Sequence, residues 1–143
     1  IRDGLMYDEG YVQSLPAYLC PSDESGHLRS YSISAYMNSD HDRDPMARTI
    51  GGIQDPSDTL IMTEEKDPRE YNIGSWDVPL FGGQWIDPPA KFHLKGVNFA
   101  YADGHAEFRP WQDPRTLELD DLYEATPNNK DLQWIQEHIN PDE

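Results

Sequence analysis

The chain has 143 residues and a formal net charge of -16, from 27 acidic and 11 basic side chains. That length fits one domain, residues 1–143, and the deficit of Lys and Arg argues against binding to phosphate backbones or anionic membrane surfaces. Apolar residues are 36 % of the chain and mean hydropathy is -0.82, so the core must be small, while twelve prolines and ten glycines predict many turns and exclude a helical bundle.

No apolar run approaches the ~20 residues that span a bilayer, and no signal peptide is visible. The chain opens on Ile1 without an initiator Met, and we expect residues upstream of it. In residues 1–19, Leu5, Met6, Tyr7, Tyr11, Val12 and Leu15 anchor a short helix or turn that leads to Cys20. Cys20 is the one cysteine, so it has no disulfide partner within these residues. Pro21, Ser22 and Asp23 predict a turn. Over 30–37, Tyr31, Ile33, Ala35 and Met37 alternate with serines, the period of a strand.

Residues 38–52 are polar and charged and predict a loop. Within it Asp40, Asp42 and Asp44 alternate like the opening of a calcium loop, but Pro45 and Gly51 stand where an EF-hand needs glycine and glutamate. Two readings stay open there: an irregular loop holding a structural Ca2+, and a solvated charged loop. Asp55, Pro56 and Ser57 predict a turn into a second strand, 59–64. Glu64 and Glu65 close that strand; one of them facing inward would point toward His93, and the other reading places both at the surface.

Residues 66–92 mix proline and glycine with aromatics, an irregular stretch of the kind used for interaction. Trp76, Phe81, Trp85 and Ile86 are expected to tack it onto the body, and Trp76, Phe81 and Trp85 are also candidate subunit-contact residues. Next, 96–102 and 105–109 bracket Asp103-Gly104, which predicts a two-residue hairpin loop of type I′. His93 either bonds the hairpin backbone or Asp103, or forms a transition-metal site with Asp103 and His105. Finally, Asn129 is placed to cap a helix over 130–139, with Leu132, Ile135 and Ile139 on one face, Asp131 in its first turn and His138 in its last. Asn140-Pro141 stops it.

The segment His93-Leu94-Lys95-Gly96-Val97-Asn98-Phe99-Ala100-Tyr101-Ala102-Asp103-Gly104 has a histidine, nine residues and Asp-Gly. It resembles the H-X9-DG region of the DUF1559 class of bacterial pilin-like proteins, relatives of the G-type pseudopilins of type II secretion. Cys20-Pro21-Ser22-Asp23, the Ser30-Tyr31 strand, the Pro56-Ser57 strand entry and the Asp131-Leu132 helix resemble further blocks of that family, in family order. The resemblance implies an α+β head domain: a small twisted antiparallel sheet with long irregular loops and a C-terminal helix. It implies an upstream apolar helix, absent from this sequence, as the membrane anchor of the precursor. It further implies an extracellular filament built from copies of the chain, with other pseudopilins as additional partners, and no catalysis. His93, Asp103, Gly104, Cys20 and Pro21 would then be structural motif residues. In the complete protein Cys20 would either pair with a second cysteine near the end of the long helix or stay a buried thiol. G-type pseudopilins often carry calcium in a C-terminal loop, which is consistent with a structural Ca2+ here.

No nucleophile elbow, phosphate-binding loop, dinucleotide fingerprint or H-E-x-x-H pair occurs, so the expectation is a non-enzyme. The alternative from another class is a secreted calcium-dependent module, for example for glycans, which shares the acidic loops and the aromatics.

Overall fold

The computed structural model describes residues 5–37, 45–69 and 75–142. Asp40, Asp42 and Asp44, the candidate calcium ligands, lie outside the described residues.

Four strands form one sheet in the order of the chain: β1 (Tyr31–Ile33), β2 (Leu60–Glu64), β3 (Gly96–Tyr101) and β4 (Ala106–Pro110), each antiparallel to the next. A one-turn helix, α1 (Leu5–Asp8), precedes the sheet, and α2 (Lys130–His138) follows it. The expected α+β class is therefore present, with its sheet and its C-terminal helix.

Two expectations change in detail. The first strand is shorter than 30–37. Pairing with β2 runs on to Ser34, whose amide donates to the Ile61 carbonyl at 2.9 Å, and then ends in a turn in which the Met37 amide donates to the Ser34 carbonyl at 3.0 Å. Trp76 pairs along the opposite edge of β1, its amide donating to the Ile33 carbonyl at 2.8 Å and its carbonyl accepting the Ala35 amide at 2.9 Å. Ala35, Tyr36 and Met37 then turn into the core instead of continuing the alternation. The second change concerns the Asp103-Gly104 loop. Gly104 has φ +97°, but Asp103 does not have positive φ, so the turn is not type I′. The Gly104 amide donates to the Tyr101 carbonyl and the Tyr101 amide to the His105 carbonyl, the pattern of a type I turn closed by a glycine bulge. Asp103 is held in it by donating its own amide to the Pro56 carbonyl at 2.8 Å and by accepting the His105 amide at 3.0 Å.

The two faces of the sheet differ. Val97, Phe99, Tyr101, Leu60 and Thr63 point into the core, where Phe99 touches Trp76, Trp111 and Trp134, with ring centroids 5.5–6.2 Å apart. The long segment after β2 builds the rear of this core. Trp85 is buried, its indole N–H donates to Thr126 at 3.0 Å, and its backbone pairs with Glu124. Tyr36 reaches the Val78 carbonyl. Leu132, Ile135 and Ile139 close the core from α2 as their spacing predicts. Asn129 caps that helix by accepting the amides of Asp131 and Leu132.

The register puts Tyr31, Ile33, Met62, Glu64, Asn98, Ala100 and Phe108 on the opposite face. Ile33 is 39 % exposed and Phe108 42 %, so this face carries apolar side chains in contact with solvent.

Candidate functional site

Cys20, Glu64 and His93 meet at the end of β2, on the half-exposed face of the sheet. Each arrives by a different local device. Cys20 enters through the Cys-Pro-Ser-Asp turn, closed by the Asp23 amide donating to the Cys20 carbonyl at 2.9 Å. Ser30 locks this turn to the sheet: its hydroxyl accepts the Cys20 amide at 2.9 Å and donates to Asp23 at 2.6 Å, and its carbonyl accepts the Glu65 amide. Glu64 sits opposite Tyr31 in the β1–β2 register. His93 occupies the first position of a four-residue turn that opens β3, in which the Gly96 amide donates to the His93 carbonyl at 2.6 Å. Both central residues of that turn, Leu94 and Lys95, have positive φ (40° and 65°). Side chains rarely adopt that backbone conformation, and its concentration next to a cluster of polar groups is the form strain takes at functional sites. Leu94 is 94 % exposed, so no packing of its side chain explains the turn.

The geometry converges on one atom. His93 Nε2 lies 3.0 Å from Cys20 Sγ and 2.7 Å from Glu64 Oε1. The other carboxylate oxygen of Glu64 accepts the Asn98 amide at 3.0 Å and the Asn98 side-chain amide at 3.3 Å, which aims Oε1 at the ring. Glu64 is fully buried and Cys20 is 3 % exposed. Burial, followed by a bond from the Ser22 amide and the Glu64 carboxylate, acts on the Cys20 thiol, and the net effect pushes it up. Burial also raises Tyr31, whose side chain interacts with Cys20.

Of the predicted motif residues, His93, Cys20 and Pro21 thus belong to one place, and Asp103 and Gly104 to another. The transition-metal set of His93, Asp103 and His105 does not form. β3 separates His93 from the hairpin loop, and six residues at about 3.3 Å each put roughly 20 Å between them. Asp103 and His105 instead pair with each other at 2.7 Å, and the His105 ring stacks on Tyr101. The His105 backbone amide, then its ring, hold the exposed Asp103 carboxyl below its usual range. This is turn chemistry, as the structural reading of Asp103 and Gly104 expects.

The aromatic candidates also divide. Trp76 and Trp85 are core residues and do not present a contact surface, because their indoles fill the space between the sheet and the long segment. Phe81 is 85 % exposed, beside a groove of about 380 Å³ lined by Leu80, Gln133, Gln136 and Asn140.

Of the two glutamates at the end of β2, Glu64 is the one that faces His93, and Glu65 points to the other side of the strand, where it is buried instead of lying at the surface. There Glu65, Asp67, Asp77 and Asp87 are all buried, with Arg69 chelating Asp67 at 2.7 and 2.9 Å and reaching Asp87 at 3.7 Å. Burial, with the charges of Asp87 and Asp67 adding to it and Ser32 and Arg29 opposing, pushes Glu65 up to about 7. Burial likewise pushes Asp87 up to about 6. A carboxyl raised on folding contributes stability that is complete below its unfolded value and lost as pH rises through its folded value. Between about pH 5 and pH 7.5 the melting temperature should therefore fall as pH rises, by on the order of 5 °C or more. Calorimetry in EDTA checks this, and Glu65→Gln should remove most of the slope.

Comparison of the chain with protein-family models, with curated proteins and with solved structures finds no match in any of the three. The functional reading therefore rests on the residues and their arrangement.

Proposed function

We propose that this chain is the exposed head of a pilin-like filament subunit, structural and without catalysis, placed outside a bacterial cell. The observation that carries the reading is the two-sidedness of the sheet. One face is sealed by the aromatic core, while Ile33, Met62, Ala100 and Phe108 form an apolar strip on the other that is still in contact with solvent. Such a strip marks a contact surface that needs an apolar partner. In a filament subunit that partner is an apolar helix, from the chain's own precursor, lying along it and packing in the filament core. Contacts between copies would then run head to tail, giving an open helical assembly, with exposed Phe81 as a contact residue on the outer side. The ordered blocks from Cys20 to Asp131 agree with the same reading.

Electron microscopy of the complete native protein tests it. Regular filaments carrying this chain are expected. The paired substitution of Ile33→Asp and Phe108→Asp should abolish them while shifting the melting temperature of the domain by only a few degrees, since both side chains are already half in water. Dispersed monomers from the unsubstituted protein would overturn the proposal in favour of a secreted binding module. Dissolution of filaments by a calcium chelator would add a structural Ca2+ to it.

A further inference from the structure

The Cys20, Glu64 and His93 cluster goes beyond a filament role, and it does not depend on one. Among the described residues these three are the group whose donor atoms come close enough to share an ion, all within 4.8 Å of one another. We propose that they form a transition-metal site of the Zn2+ class, bound through Cys20 Sγ, Glu64 Oε1 and His93 Nε2.

Three features of the geometry carry this. The first is convergence on Nε2. A ring nitrogen has one proton or one lone pair to offer, so at 3.0 Å from sulfur and 2.7 Å from a carboxylate oxygen it serves one neighbour at a time. An ion at the centre satisfies all three donors together. The second is the donor set. Thiolate, imidazole and carboxylate are the ligands of Zn2+, whereas Ca2+ and Mg2+ take oxygen. Ligand bonds of about 2.0–2.3 Å in a tetrahedron space the donors roughly 3.5 Å apart, so the contacts need to open by about half an ångström. The third is support around the donors. Asn98 fixes the free oxygen of Glu64, the Ser30 hydroxyl holds the Cys20 backbone by accepting its amide, and the Leu94–Lys95 turn fixes the histidine backbone. Ligands held in this way are characteristic of metal sites.

Three protein ligands leave a fourth position for water or for the Tyr31 side chain, which faces Cys20. Binding exchanges a proton for the metal: the Cys20 thiol releases its proton to solvent as the metal–sulfur bond forms, with no change of oxidation state. The site would tie the segment before β1 to β2 and to the start of β3.

Titration of the purified chain with Co2+, and of the same chain with Zn2+ in competition, tests the proposal. One equivalent of Co2+ should bind, give a thiolate-to-cobalt charge-transfer band with tetrahedral d–d absorption, and be displaced by Zn2+. Cys20→Ser should remove the band, and Cys20→Ser and His93→Ala should each lower Zn2+ affinity by at least about 100-fold, more than loss of a partner of a ligand costs. Circular dichroism of each variant without metal checks folding. The cobalt spectrum of the unsubstituted chain decides the matter even where a variant fails to fold. Absence of the charge-transfer band, or its persistence in folded His93→Ala, would overturn the assignment.

Discussion

Asp131→Ala should destabilise the domain by roughly 3–5 kcal/mol, among the largest effects available to a single polar substitution. Asp131 is fully buried at the first turn of α2, yet its carboxylate serves the chain that leaves β4. It accepts the Gln112 amide at 2.9 Å, the Asp113 amide at 2.9 Å and the Thr116 hydroxyl at 2.7 Å. Thr116 in turn accepts from the Asn129 side chain at 3.0 Å, and Asn129 caps α2. Removing the carboxylate leaves the Gln112 and Asp113 amides without their acceptor and the Thr116 hydroxyl with only a 3.3 Å contact to the Asn129 side-chain oxygen, and each such loss costs about 1–3 kcal/mol where the donor is buried. The melting temperature should drop by about 10 °C. Asp131→Asn keeps the shape and one acceptor oxygen but turns an NH2 group toward a donor, so it should recover only part of the loss. Equal melting temperatures for Asp131→Ala and the parent chain would show that water replaces the carboxylate.

Gly96→Ala should be comparably severe, for a steric reason. A Cβ at Gly96 would lie 2.4 Å from the Arg109 carbonyl oxygen and 2.6 Å from the Phe108 ring. The first is backbone of the neighbouring strand, so the β3–β4 ladder must part for the methyl group to fit. A loss of at least about 3 kcal/mol follows, since overpacking against an immobile partner sits at the upper end of its range. Gly104→Ala gives the contrast within the same hairpin. Gly104 needs its φ of +97° but has open space around it, so the expected cost is about 1 kcal/mol. Urea denaturation of the two variants checks the order. Because the Gly96 amide closes the His93 turn, Gly96→Ala should also weaken cobalt binding, whereas Gly104→Ala should leave it unchanged.

Much of the scaffold was legible. Tyr31 and Ile33 alternate with serines as a half-covered sheet requires, the Asp55-Pro56-Ser57 turn marked the entry to β2, and Asn129, Asp131 and Leu132 spelled out the start of α2. The β1 boundary was not legible, because a turn closed by the Met37 amide on the Ser34 carbonyl interrupts the strand while the apolar alternation in the sequence runs on to Met37. Asp-Gly announced the hairpin but not its turn type, since glycine serves the bulge of a type I turn as well as it serves type I′. The doubly left-handed turn was instead at Leu94 and Lys95, residues that carry no local signal for it. The site shows the same division. His93 stood out by spacing, but its partners lie 29 and 73 residues away in the chain. Only the register of β1 against β2 decides that Glu64, and not Glu65, shares a face with it.

The long segment that carries Trp76 and Trp85 has a kinetic consequence. The β3–β4 hairpin and α2 use neighbouring residues and can form in microseconds. The rear of the core cannot, since Trp85 must find Glu124 and Thr126, Trp76 must find Ile33, and Gln54 must find the Pro141 carbonyl. Each of those closures orders a large loop before its burial is rewarded, so folding should proceed on the slow scale of non-local topologies. Until those indoles are seated, the hairpin would stand with both faces wet, and the most aromatic surface of the chain would be the last to be covered.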